Sequence, residues 1–181
     1  MKRLTAVLVI GVVLLWSTGA FAQYAALEDS PWAGPWVGVG GLVISGDDGS
    51  GNSNDAFVGT VNIAGLTDYL AWQAFYGMDG EEATVWGGSV DYIVASNFDE
   101  CFTCPDMGVW WFGVGGTLMD ATDLYYDEND ANAALSETYY GPNLGFGYAW
   151  GDWMLNLYGH YLMADEDSIA FQGMVMYNFG R

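Results

Sequence analysis

Basic residues are scarce in this chain, and their shortage excludes one large class of partners. Of its 181 residues, 3 are Lys or Arg and 23 are Asp or Glu. Lys2 and Arg3 open the chain, so Arg181 is the only basic residue after them. Without a basic patch a domain cannot neutralise nucleic-acid phosphates, so we exclude nucleic acid as a partner. The acidic excess fits solubility, a saline habitat or attraction of cations to acidic loops.

Long apolar runs are missing after the N-terminal segment, which leaves no candidate for a membrane-spanning helix. The run Ala6–Trp16 follows two basic residues and precedes Ala20-Phe21-Ala22, a small-x-small cleavage site. This order of features predicts a secretory signal over residues 1–22. An uncleaved anchor is the alternative, but the run is short for a spanning helix.

The remaining composition predicts one folded domain. Charged residues make up only 14% of the chain, whereas aromatic residues make up 17% and Gly occurs 26 times. So many aromatic side chains exclude a disordered chain. We expect a short periplasmic segment over residues 23–35, with two prolines in it, and a single domain over residues 36–181.

Cysteine is also scarce, and its context limits the chemistry. Cys101 and Cys104, the only cysteines, form a C-x-x-C pair in a chain predicted to be secreted. A local disulfide is the expected state in an oxidising compartment. Haem attachment would need His where Pro105 stands, and zinc would need two more soft ligands. A redox pair would need a basic neighbour or a helix N-terminus. We expect no cofactor.

Strict alternation dominates the C-terminal third of the chain. Residues 143–150 place large apolar side chains at even positions and small or polar ones at odd positions. Residues 153–161 and 169–179 repeat this pattern after short polar breaks. A period of two gives each strand one apolar face and one polar face. Five further strands are predicted at 36–45, 56–64, 69–78, 83–95 and 107–118.

The predicted fold is all-β: a closed antiparallel eight-stranded up-and-down transmembrane β-barrel. No helical pattern supplies a layer to cover the apolar faces, so the simplest solution turns them outward to lipid. An even strand number puts both termini on the periplasmic side. The predicted outer loops are then 46–55, 79–82, 119–137 and 164–167, and the inner turns are 65–68, 96–106 and 151–152.

Parity assigns side chains to the two surfaces of this barrel. The polar residues predicted to face the lumen are Asn62, Gln73, Asp91, Asn156, His160 and Gln172. The residues predicted to face lipid or to form an aromatic girdle are Trp36, Trp72, Trp86, Tyr92, Trp110, Tyr148, Trp150, Trp153, Phe171, Tyr177 and Phe179.

Two of the lumen residues invite a chemical interpretation. His160, the only histidine, would join Ser89 and Asp91 in a Ser-His-acid arrangement in a lipid hydrolase. The His-x-Ser motif of barrel lipid A deacylases is missing, so a structural histidine is favoured. For Asp91, with no cation to pair with, we expect hydration, protonation, or a hydrogen bond to Asn62 or Gln73.

The acidic loops raise the possibility of calcium binding. Residues 127–130 read Asp-Glu-Asn-Asp, but Ala131 occupies the fifth position of an EF-hand loop that starts at Asp127, so that motif is excluded. Weak divalent-cation binding between loops remains an expectation beside plain solvation.

The predicted signal, the Gly- and aromatic-rich strands and the segment YYGPNLGFGYAW at 139–150 together carry a family resemblance. The chain resembles small eight-stranded outer-membrane barrels of the OmpA/OmpX type over essentially all of residues 23–181. The resemblance implies location in the bacterial outer membrane, contact with its lipid, and recognition by the outer-membrane assembly machinery. It differs in its end, where Gly180 and Arg181 follow Phe179, and in lacking the Lys and Arg that such barrels use against lipopolysaccharide phosphates.

We therefore expect a non-enzymatic envelope protein with a structural or surface-interaction role exerted through acidic outer loops. Three alternatives remain: a narrow porin-like channel for small solutes or cations, a barrel lipid hydrolase, and a soluble lipocalin-like barrel. A plugged lumen would argue against the channel. Large side chains packed inside rather than outside would favour the soluble barrel.

Overall fold

A computed structural model of the chain describes residues 35–47, 53–67, 69–79, 83–98, 108–124, 135–164 and 167–179. The predicted signal, the cysteine pair and the acidic stretch 127–130 lie outside these residues, as does the 23–35 segment apart from its last residue. Within the described ranges there is no helix both long and apolar enough to span a membrane.

Eight strands form a single closed barrel in which each strand pairs with its neighbours in the chain, and β1 pairs with β8 to complete the circle. All pairings are antiparallel. This confirms the predicted fold class. The strands are β1 (Trp36–Asp47), β2 (Ser53–Leu66), β3 (Leu70–Met78), β4 (Thr84–Ser96), β5 (Val109–Leu124), β6 (Leu135–Trp150), β7 (Trp153–Leu162) and β8 (Ser168–Asn178).

Short turns join β2 to β3 and β6 to β7 at one end of the barrel, here called the terminal end because β1 begins and β8 ends there. Gly151 has a φ of 54°, which suits glycine, in the two-residue turn between β6 and β7. The Thr67 hydroxyl accepts hydrogen bonds from the amides of Tyr69 and Leu70, at 3.4 and 2.9 Å. Asn97 holds the ends of β4 and β5 together, because its side chain accepts from the Trp110 amide at 2.8 Å.

The opposite end, here called the loop end, differs from the prediction at its longest connection. Residues 119–137 were predicted to be a loop, but β5 continues to Leu124 and β6 begins at Leu135. Asp120 and Glu137 are therefore strand residues, each with a cross-strand partner. Acidic residues can occupy these strand ends because, beyond an apolar band, both faces of a strand meet a polar environment.

The prediction that Trp36 faces lipid is wrong. Trp36 is fully buried inside the barrel at the terminal end. Its cross-strand neighbours Ala64 and Asn178 are also buried, so register places all three on the inner face. Glycine on both parities of β1 obscures the alternation that identifies the outer face in the other strands.

The interior has three layers along its axis. At the terminal end, the terminal plug is an apolar cluster of Trp36, Ala64, Leu66, Ala71, Ile93, Phe98, Val109, Trp111, Ala149, Met154, Tyr158, Met174 and Met176. At the loop end, the loop plug is a cluster of Leu42, Ile44, Val58, Phe75, Val85, Met119, Ala121, Tyr139, Leu162 and Ala170. Between them, strands β2 to β8 each contribute buried polar side chains, while β1 contributes glycine.

Candidate functional site

The buried polar layer between the plugs is the candidate site, and we call it the polar belt. The structure buries all six predicted lumen residues and places five of them in the belt, whereas Asn156 lies among terminal-plug residues and donates a hydrogen bond to Met176 Sδ at 3.5 Å. Four further members of the belt were not in that predicted set, although they share the inward parity of their strands. The complete belt is Thr60, Asn62, Gln73, Ser89, Asp91, Thr117, Asn143, His160 and Gln172, each 6% exposed or less.

One half of the belt is a directed chain of amide hydrogen bonds. Gln73 Nε2 donates to Gln172 Oε1 at 3.0 Å, which crosses from β3 to β8 over the barrel interior. Gln172 Nε2 donates to Asn62 Oδ1 at 3.0 Å, and Asn62 Nδ2 donates to Thr60 Oγ1 at 3.0 Å. Because Gln172 is both donor and acceptor, it ties three strands together through the interior.

Asp91 lies in the other half of the belt and is fully buried. Its Oδ1 accepts a hydrogen bond of 2.6 Å from Asn143 Nδ2. The expected partners Asn62 and Gln73 bond to Gln172 and Thr60 instead. Register explains the observed pair, because Gly115 stands between Asp91 and Asn143 and pairs with both. With no side chain at Gly115, the two polar groups meet directly.

His160 does not take part in a Ser-His-acid arrangement. Its Nδ1 lies 2.8 Å from Thr117 Oγ1, a hydrogen-bonding distance, and its ring stacks on Tyr158 with ring centroids 5.8 Å apart. The acid that a triad requires, Asp91, bonds to Asn143. The described geometry therefore supports a structural histidine, as the sequence favoured.

Trp111 is a fully buried side chain of the terminal plug and was not among the predicted lumen residues. Trp110 points outward, so alternation alone places its neighbour inside, but a second large indole there needs space. Inward glycines on β6 provide that space: a Cβ on Gly145 would lie 3.0 Å from the Trp111 ring, and one on Gly147 would overlap it. Tyr158 completes the packing, with ring centroids 6.1 Å apart.

The outer surface is apolar and carries an aromatic band at the terminal end. Trp153 and Tyr177 pack edge-to-face at 5.1 Å, and Tyr177 packs likewise on Phe179 at 5.0 Å. Tyr148 stacks on Trp150 at 5.6 Å. The other predicted girdle residues that point outward are Trp72, Trp86, Tyr92, Trp110 and Phe171.

Carboxylates are concentrated at the loop end of the outer surface. Asp120 accepts a 2.9 Å hydrogen bond from Thr138, and Asp167 accepts one of 2.5 Å from Tyr161. Asp55 and Asp79 are exposed at the same end. No Lys or Arg occurs among the residues that the structure describes. The same residues include no group of three or more His, Cys, Asp or Glu side chains arranged to hold a metal ion.

Searches of protein-family models and of curated proteins found no match for this sequence. Likeness to known proteins is therefore seen at the level of the fold.

Several solved structures are similar to this chain in fold. Neisserial surface protein A, from Neisseria, matches at 13% identity and a TM-score of 0.50, covering 80% of this chain and 97% of that one. The N-terminal barrel domain of Pseudomonas aeruginosa OprF matches at 16% identity and 0.43, covering 78% and 97%. The attachment invasion locus protein Ail of Yersinia pestis matches at 8% and 0.45, covering 80% and 97%. The similarity to Neisserial surface protein A shows that this chain has the fold of an eight-stranded membrane barrel.

Proposed function

We propose that this chain is an integral protein of the bacterial outer membrane, a sealed barrel that acts as a structural scaffold and carries acidic loops on the cell surface. The observation that carries this proposal is the inverted distribution of side chains: apolar outside, polar in the middle of the interior.

The outer surface has the dimensions and composition of a lipid-facing belt. Phe57 and Val39 are 67% and 66% exposed, values that a water-soluble fold avoids for so many apolar residues. On β5, the outward residues from Trp110 to Leu118 are apolar or glycine, and Asp120 ends the series. At about 3.3 Å per residue and a tilt of about 40°, this stretch rises about 20–23 Å, close to the height of about 25 Å of the apolar band of outer-membrane barrels.

The interior argues against a channel. An eight-stranded barrel is narrow enough for its own side chains to fill it. Here Trp36, Trp111 and Met176 fill the terminal end, and Leu42, Met119 and Tyr139 fill the loop end, all nearly or fully buried. A polar path through the barrel would have to cross two apolar layers. A soluble lipocalin-like barrel would keep its apolar side chains inside, whereas this barrel exposes many of them on its outer surface.

The acidic loop end supports a role in surface contacts. Outward-facing carboxylates attract cations and repel the phosphates of the outer leaflet. We propose that weakly bound divalent cations mediate contacts between this rim and neighbouring lipid headgroups, since those cations can bridge two anionic groups. Insertion would depend on the outer-membrane assembly machinery, as for other barrels of this architecture.

We expect the purified barrel to insert into planar lipid bilayers without forming ion channels. The two plugs remove any continuous aqueous path through the barrel. Single-channel recordings in about 1 M KCl, where surface charges are strongly screened, should therefore show no discrete conductance steps. A porin tested in the same bilayers provides the positive control. The inserted sample must first show the heat-dependent gel mobility of a folded barrel.

Reproducible unitary steps from a folded sample would contradict the sealed-barrel proposal and favour the narrow channel. Steps that appear only in preparations containing unfolded protein would count as leakage, because the same protein after refolding should be silent.

A further inference from the structure

Several buried polar atoms of the polar belt have no hydrogen-bond partner among the described residues. Among the described residues, no group hydrogen-bonds to Asp91 Oδ2, Asn143 Oδ1 or Gln73 Oε1, although all three atoms are buried. The amide oxygens of Asn143 and Gln73 can only accept hydrogen bonds, and so can Asp91 Oδ2 when the carboxyl group is ionised. Buried oxygens of this kind ordinarily find a partner, because leaving them without one costs about 1–3 kcal/mol each.

Register gathers these oxygens on one side of the interior. Asp91 and Asn143 meet across Gly115 at 2.6 Å. Ser89 lies two residues from Asp91 on β4, on the same inner face, and pairs in register with Gln73 on β3. The carboxylate, two amide carbonyls and a hydroxyl thus come from three strands, β3, β4 and β6, and face the same layer.

Charge balance points to the kind of ligand that would satisfy them. A lone carboxylate in a sealed interior is strongly disfavoured unless an opposite charge compensates it. The described residues contain no Lys or Arg, and the three basic residues of the chain lie at positions 2, 3 and 181. A single proton on Asp91 would supply one donor, which satisfies one acceptor. A cation would satisfy several oxygens at once.

We propose that the barrel interior holds one alkali metal cation, coordinated by Asp91 together with Asn143, Ser89 and Gln73. All-oxygen ligands suit a hard cation rather than a soft transition metal. One carboxylate balances one positive charge, whereas a divalent ion would leave an uncompensated charge in a medium of low polarity. The two plugs would trap the ion, so it enters as the chain folds and exchanges slowly afterwards.

Trapping makes the site measurable with sodium as the probe. The full chain is folded from urea into detergent micelles in ²²Na-labelled NaCl and then transferred by gel filtration into choline chloride. Wild type should retain about one labelled ion per chain, by the charge balance given above. The isosteric Asp91→Asn variant, which can still accept from Asn143, should retain at least about tenfold less, since it lacks the charge that binds the ion.

Asp120→Asn is the matched control, because it removes a carboxylate from the outer rim rather than from the interior. It should retain as much label as wild type. A second measurement covers fast exchange: the urea midpoint of wild type should be higher in NaCl than in choline chloride of equal ionic strength, whereas Asp91→Asn should show no difference.

The inference is overturned if wild type neither retains label nor distinguishes sodium from choline, or if Asp91→Asn behaves as wild type does. In that case Asp91 is compensated by a proton or by water. The test depends on the closed barrel alone, so its failure is separate from failure of the outer-membrane proposal, which conductance and fractionation address.

Discussion

Replacing Trp111 by alanine is expected to lower the free energy of unfolding of the barrel by about 3–5 kcal/mol, the range for removing a buried aromatic side chain. Trp111 is 1% exposed and packs against Tyr158 and the bare backbone at Gly145 and Gly147. Gly145 and Gly147 have no side chains that could fill the space left by the indole, so the cavity would remain open. Urea unfolding in lipid vesicles, followed by gel mobility without heating, measures this loss.

The neighbouring residue provides a matched control for that experiment. Trp110 is 37% exposed and lies on the outer face, so Trp110→Ala removes lipid-facing surface without creating an internal cavity. We expect a clearly smaller loss of stability than for Trp111→Ala. If Trp110→Ala proved the more damaging substitution, the assignment of inside and outside on β5 would be wrong.

A positive charge in the middle of the outer surface should have the second-largest effect. Val114 is 40% exposed, and its cross-strand neighbours Tyr92 and Leu144 are exposed as well. Arginine at the midplane of a bilayer destabilises outer-membrane barrels by about 2–4 kcal/mol, because the charge must leave water. We therefore expect Val114→Arg to reduce the free energy of unfolding in vesicles by that amount.

Depth within the membrane gives this prediction its control. Thr122 lies on the same strand and the same parity as Val114, beyond Asp120 at the loop end. Thr122→Arg should change stability by only about 0–1 kcal/mol, the value near a membrane interface. If β5 faced water instead of lipid, arginine at position 114 would lie on a solvent-exposed surface and would be tolerated. Equal, small effects of the two substitutions would therefore indicate that β5 does not face lipid.

Much of the barrel could be read from alternation alone. The parity of β2 to β8 puts Asn62, Asp91 and His160 inside because the large apolar residues of their strands mostly occupy the opposite parity. The same rule covers Asn143 and Thr117, which the predicted lumen set omitted although both lie in predicted strands. Strand number and order followed because short polar breaks separate consecutive alternating segments.

Pairing across the barrel could not be read in the same way. Asp91 finds Asn143 rather than Asn62, because the register of β4, β5 and β6 sets Gly115 between them. Register depends on contacts between strands, which one sequence does not display. Trp36 was misassigned for a related reason: its glycine-rich strand has little contrast between its two faces, so only its paired neighbours identify the inner one.

Boundaries at the loop end were hidden by composition. Residues 120–123 carry acidic and small side chains, which indicate a loop in the sequence alone. The structure continues both strands past the apolar band, where the need for an apolar outer face ends. Asp120 and Thr138 hydrogen-bond across this extension at 2.9 Å, so polar side-chain pairs replace lipid contact there.

The most direct test of the central claim is fractionation of cells that express the full chain, followed by electrophoresis of the same fraction with and without heating in detergent. We expect the protein to stay with outer membranes, to be released by detergent but not by salt, and to change its gel mobility on heating as the closed barrel unfolds. Recovery in the soluble fraction with one mobility before and after heating would contradict it, because the apolar outer surface could not then face lipid.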